Sequence, residues 1–162
     1  MEEATHDELA GIVDLFDALT REELSQALVE LAYRRGDDVR EEAVADAVDK
    51  AVAEYYLLEL PAEAVDGEIE ADAALAVGPV AFPTLPEEGE DLPHILDVPE
   101  RSVDRAAAAE HAAERLRREA ATAVDGGDEA RVALLADVTY DVEAWGAVEL
   151  RETRQRLHEL VD

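Results

Sequence analysis

Arginine is the residue type whose grouping in this chain suggests chemistry. Thirteen arginines and a single lysine, Lys50, make up all the permanent cations. They gather in three places: Arg34, Arg35 and Arg40; Arg115, Arg117 and Arg118; and Arg151, Arg154 and Arg156. A guanidinium presents several donors in a rigid fork that suits phosphate and carboxylate groups, so convergence of such clusters would make an anion- or RNA-binding patch. The competing expectation is ion pairing along helices, and Glu114 to Arg118 and Glu152 to Arg156 have the favourable i,i+4 order. That second reading is taken as the expectation for most of them.

Other reactive groups form no recognisable site. His6, His94, His111 and His158 lack the paired spacing of a helical metal site, although His111 and Glu114 lie one turn apart. Asp66-Gly67-Glu68 has its glycine misplaced for a calcium loop, and Asp125-Gly126-Gly127-Asp128 reads as a helix end followed by a cap. Ser25 and Ser102, the only serines, sit in no nucleophile-elbow pattern, and no glycine-rich phosphate loop occurs. The chain has no cysteine, which removes thiolate, disulfide and Cys-zinc chemistry. No catalytic residue, metal or cofactor is therefore expected, and His94, Asp97 and His111 are the residues an enzyme or metal protein would have to use.

The charge balance is extreme: 42 acidic residues against 14 basic ones leave a net charge of −28, with 48% hydrophobic residues. Lysine depletion, surplus carboxylates and an Ala- and Val-rich apolar set resemble proteins of halophilic archaea. At about 1 M salt the Debye length is ~3 Å, so carboxylates that repel one another in dilute buffer are screened. The fold should weaken when salt is withdrawn. Met1-Glu2-Glu3-Ala4 is acidic where a secretion signal is basic, and the apolar run from Ala73 to Phe82 is interrupted by Gly78 and Pro79. The expectation is a soluble, cytoplasmic protein without a membrane span.

The elements that must position these groups are mainly helical. Thr5 with Glu8 and Thr20 with Glu23 are capping boxes, the second stapled by Leu19 and Leu24. The first helix carries Leu9, Ile12, Val13 and Phe16 on one face; the second carries Leu24, Ala27, Leu28 and Leu31 and stops at Gly36. Asp38 and Glu41 predict the start of a third helix, with Val44, Ala47, Val48, Ala51, Val52 and Tyr55 as its buried stripe. Tyr55 to Leu60 is rich in strand formers, Asp66-Gly67 signals a two-residue hairpin turn, and Ala73 to Val77 supplies the return strand. Four prolines between Pro83 and Pro99 make an extended connector, which Leu92, Ile95, Leu96 and Val98 can pin to the core. Ser102 predicts the cap of a long Ala-rich helix to Val124, Asp128 caps a short helix, and a last helix presents Leu150, Leu157, Leu160 and Val161.

This order predicts a mainly α protein with a small β-hairpin: a winged-helix-like unit over 1–82, a proline-rich acidic connector over 83–99 packed on the core, and a C-terminal helical region over 100–162. Winged helices bind DNA or other proteins, and DNA requires cations on the third helix and the wing. Arg34, Arg35, Arg40 and Lys50 are the cations available, against Glu41, Glu42, Asp46, Asp49 and Glu54 on the third helix and Glu63, Asp66, Glu68, Glu70 and Asp72 in the wing. A non-enzymatic regulatory or adaptor protein acting through protein contacts, or through a homodimer, is the primary expectation; a DNA-binding transcription regulator is the alternative. Tyr56, Leu58, Tyr140 and Trp145 are the candidate interface anchors, in competition with the core for the few aromatics.

The segments Asp7 to Phe16, Leu19 to Leu24 and Glu90 to Pro99 resemble a small family of haloarchaeal proteins of this length with no assigned activity. The resemblance spans most of the chain. It implies a halophilic protein and carries over no functional residue.

Overall fold

The structure is a computed structural model that describes residues 5–161. The side chain of Val161 and the acidic Met1–Ala4 segment lie outside the described residues. The chain is mainly α with a small antiparallel hairpin and divides into two compact units, Met1–Val103 and Asp104–Asp162.

The first unit opens with three helices, α1 (His6–Phe16), α2 (Arg21–Arg34) and α3 (Glu41–Ala53). Both expected capping boxes form: Thr5 accepts from the Glu8 amide at 3.0 Å while Glu8 accepts from Thr5, and Thr20 and Glu23 do the same. Each satisfies two helix-end donors that would otherwise be left over. Leu9, Ile12 and Val13 of α1, Leu24, Leu28 and Leu31 of α2, and Val44, Val48 and Ala51 of α3 share one core with Leu57, Leu75 and Leu92. At about 1.5–3 kcal/mol for each large side chain removed from water, this cluster is what holds the three helices together.

The start of α3 differs from expectation. Arg40, not Asp38, is the cap residue, and it makes no side-chain cap bond. Tyr55 is buried, yet it leaves the helix in a left-handed conformation with φ 66°. That turn of the backbone converts helix into strand within two residues. Gly78 lies so close that a Cβ there would collide with the Tyr55 carbonyl.

Strand β1 (Leu57–Pro61) pairs antiparallel with the third strand, β3 (Ala73–Val77), with Leu57 opposite Val77 and Pro61 opposite Ala73. The turn expected at Asp66-Gly67 is not there. Asp66 belongs to a two-residue strand, β2 (Val65–Asp66), which pairs with β4 (Ser102–Val103). A two-residue hairpin of the expected kind needs both central residues at positive φ, and here only Gly67 has it, at 125°. The sequence also hides a contact between Leu19, at the joint of α1 and α2, and Leu75: each amide bonds the other's carbonyl, at 3.0 and 2.7 Å. Beyond β3 the chain lies along α1, where the Thr84 amide bonds the Asp7 carbonyl at 2.9 Å. A Cβ at Gly11 would collide with the Thr84 carbonyl. The short helix α4 (Leu92–Ile95) then buries Leu92 completely.

The second unit is three helices, α5 (Arg105–Gly126), α6 (Glu129–Trp145) and α7 (Arg151–Val161). Ser102 is spent in β4, so Asp104 precedes α5 and makes no side-chain cap bond. Small buried residues, Ala108, Ala109, Ala112, Ala113 and Ala120, give α5 a close-packing face. Gly127, at φ 65°, ends it, and Asp128 accepts from the Arg131 amide to begin α6. That helix runs to Trp145, longer than expected, with Val132, Leu135, Val138 and Val142 inward.

Candidate functional site

The outward surface of α2, α3 and the loop after β1 was where nucleic-acid contact required free cations. Arg34 faces Glu30 at 3.7 Å and Asp91 at 3.5 Å, and Arg35 donates to the Glu87 carbonyl at 2.9 Å. Arg21 is held between Asp49 at 2.7 Å and Glu59 at 2.8 Å. Arg40 and Lys50 are exposed and have no ion pair among the described residues, but Glu41, Glu42, Asp46 and Asp49 are exposed on the same helix. Glu63, Asp66, Glu68, Glu70 and Asp72, between β1 and β3, all face solvent. The first unit contains 28 acidic and six basic residues, a net charge of −22, against 14 and eight in the second, a net of −6.

One of those six cations is internal. The Arg101 side chain is 1% exposed, and its guanidinium spans Glu23 in two-pronged fashion at 2.6 and 2.9 Å. Its remaining donors reach the carbonyls of Ala18 at 3.1 Å and Glu68 at 2.9 Å. Burial pushes the Glu23 carboxyl up, but hydrogen bonds from Arg101 and Thr20 outweigh it, and the group titrates below the usual glutamate range. The capping box of α2 is thereby fastened to the end of the unit. Sequence patterning passes over Arg101 because it belongs to no helix stripe. The available signal was that it is the sole cation between Lys50 and Arg105.

The interface candidates are placed as follows. Leu58 is buried in β1 opposite Ala76. Tyr56 is half-buried and meets His6 edge to face at 5.0 Å. Tyr140 is 54% exposed beneath the Arg154 guanidinium at 4.3 Å, and Trp145 is half-buried beneath Arg105 at 4.7 Å. Two aromatic residues that periodicity does not single out stand farther into solvent: Tyr33 on α2, 78% exposed, and Phe82 beyond β3, 81% exposed. Val29 and Leu85 are also exposed in this unit.

In the second unit six of the eight arginines fall into two groups, with Arg105 over Trp145 and Arg118 outside both. Arg115 and Arg131 share Glu119 at 2.7 and 2.9 Å. Arg154 bonds Glu143 at 2.6 Å and the buried Thr139 hydroxyl at 3.2 Å, while Glu143 also accepts from the Leu150 amide. These bonds hold the Glu143 carboxyl below its ordinary range. The expected Glu114–Arg118 and Glu152–Arg156 pairs do not form among the described residues; the one i,i+4 arginine pair on these helices is Arg115–Glu119. Arg117, Arg151 and Arg156 instead line one cavity of about 480 Å³ beside the start of α7.

Among the described residues no group of three or more His, Asp or Glu is placed to hold a metal ion, and no helix is long and apolar enough to cross a membrane. His94 and Asp97 are exposed near α4, and His111 is half-buried on α5. A scan of protein families matches residues 7–162 to a family of unknown function, DUF7109. The chain belongs to that family. No curated protein and no solved structure matches it.

Proposed function

We propose that this member of the family is a non-enzymatic binding protein, a regulator or adaptor that works through protein contacts in a high-salt cytoplasm, and that its first unit is a winged-helix-like scaffold. The scaffold reading is supported by three helices followed by a hairpin whose return strand also bonds the joint between α1 and α2 at Leu19. A halophilic origin is supported by the net charge of −28 and the single lysine. The observation that carries the functional reading is the exposure of Tyr33 and Phe82 in a unit of net charge −22. Only 4% of the residues are aromatic, so two large rings left in solvent are a costly use of them unless a partner covers them. Duplex DNA is the less favoured partner, because Arg34 and Arg35 are engaged and Arg40 and Lys50 stand among carboxylates.

Affinity capture in molar potassium chloride tests this with the wild type and a Tyr33→Ala/Phe82→Ala variant. A stoichiometric protein captured by the wild type and lost with the variant is the expected result; identical capture by both would sink the reading. Fluorescence anisotropy with duplex DNA in the same buffer separates the alternative, which requires binding that Arg40→Ala/Lys50→Ala abolishes.

A further inference from the structure

The second unit contains a cavity whose lining differs from the rest of the molecular surface. Arg117 reaches it from α5, and Arg151 and Arg156 from α7. Its apolar wall is Ala120, Val124 and Leu150. The volume, about 480 Å³, falls within the range of small-molecule sites. Two carboxylates, Glu149 and Glu152, also line it, so three cations against two anions leave the lining with a net charge of +1 within a chain of net −28.

The three guanidinium groups retain donor capacity. Arg117 gives one nitrogen to the Glu149 carbonyl at 3.1 Å, which orients the fork without neutralising it. Arg156 has no ion pair among the described residues, even though Glu152 stands one turn before it on α7. The eleven-residue α7 begins at this same place, where the Leu150 amide already donates to Glu143 at 2.8 Å, so the three guanidinium groups are the positive charges the cavity offers. Elsewhere in the unit Arg115, Arg131 and Arg154 are closed onto carboxylates, so the contrast lies within one set of helices.

We propose that this cavity binds a small phosphate-bearing anion, with the phosphate against Arg117, Arg151 and Arg156 and any organic portion along Ala120, Val124 and Leu150. The site lies in the second unit and does not depend on the protein-contact reading of the first. Planar, forked donors from two helices suit the several oxygens of a phosphate better than a chloride ion, which is what allows selection in a chloride-rich medium.

Titration with adenosine triphosphate and with inorganic tripolyphosphate in molar potassium chloride, followed by phosphorus NMR and calorimetry, tests the site. Saturable binding of at least one is expected, weakened at least about tenfold by Arg156→Gln. That substitution removes an exposed charge with no ion-pair partner among the described residues, so helicity by circular dichroism should be unchanged; Arg117→Gln is the second variant, and Arg118→Gln, outside the cavity, should bind as the wild type does. Tighter binding of the nucleotide would assign the apolar wall to an organic portion, and equal binding would assign the site to inorganic polyphosphate; either outcome supports it. Binding of neither probe, or binding that both cavity variants retain, overturns the proposal.

Discussion

At the scale of single residues, the Arg101–Glu23 pair joins a nearly buried cation to a helix cap, and one substitution there has several consequences. Both of Glu23's oxygens and the guanidinium's contacts are internal to the first unit, so Arg101→Ala leaves a partly buried carboxylate with only the Thr20 amide as donor and takes the side-chain donor from two carbonyls. Loss of one partner from such a pair costs about 2–3 kcal/mol, below the roughly 3–5 kcal/mol of a fully buried pair because the Glu23 side chain is 21% exposed. Chemical denaturation in constant molar salt would measure it. The pair also fixes a pH dependence. Glu23's folded value lies below its ordinary 4.5, so its stabilisation is present above that value and is lost as pH falls through the lower folded one. Glu23→Gln should therefore destabilise at neutral pH, with the difference from wild type shrinking as acid is added. Little of this was legible beforehand: the Thr20–Glu23 box marks Glu23 as a capping residue, but only three-dimensional closure reveals the second partner.

At the scale of elements, structure is legible in the sequence where a few adjacent residues decide the outcome. The two capping boxes and the stop at Gly127 depend on neighbours within four positions, and they form. Thr20→Ala should cost about 1 kcal/mol by thermal melting, since the Glu23 amide loses its acceptor while the backbone amide at position 20 keeps its own. Asp66-Gly67 and Ser102 depart from their local signals for the opposite reason. Each carries a strong local turn or cap preference, but β2 pairs with β4 across more than thirty residues, and that ladder overrides both. Gly11 is a second case in which distance along the chain decides the sign. Alanine in a helix is favoured over glycine by about 1 kcal/mol, yet the added methyl would strike the backbone of Thr84. Gly11→Ala is expected to destabilise on balance, and hydrogen exchange at the Thr84 amide should accelerate as its bond to Asp7 opens.

Across the whole molecule, the charge is unevenly divided, and each unit should respond to salt in proportion. With a net of −22, the first unit repels itself far more than the second at −6, and only counterion screening relieves it. Amide exchange on dilution from molar to low salt should show protection lost first in α1 to β3, then in α5 to α7; simultaneous loss would mean that the charge asymmetry has no energetic weight. The net charge was plain from the sequence. Its partition was not, because the division between Val103 and Asp104 falls four residues beyond Pro99, where composition alone marks no boundary. The fastening at Arg101 adds a constraint in time. Glu23 leaves the ribosome 78 residues ahead of its partner, an interval of roughly 4–16 s at ordinary rates of synthesis. Throughout it the nascent chain carries the start of α2 with its acidic cap unanswered, so translation itself sets the earliest moment at which this half of the protein can lock.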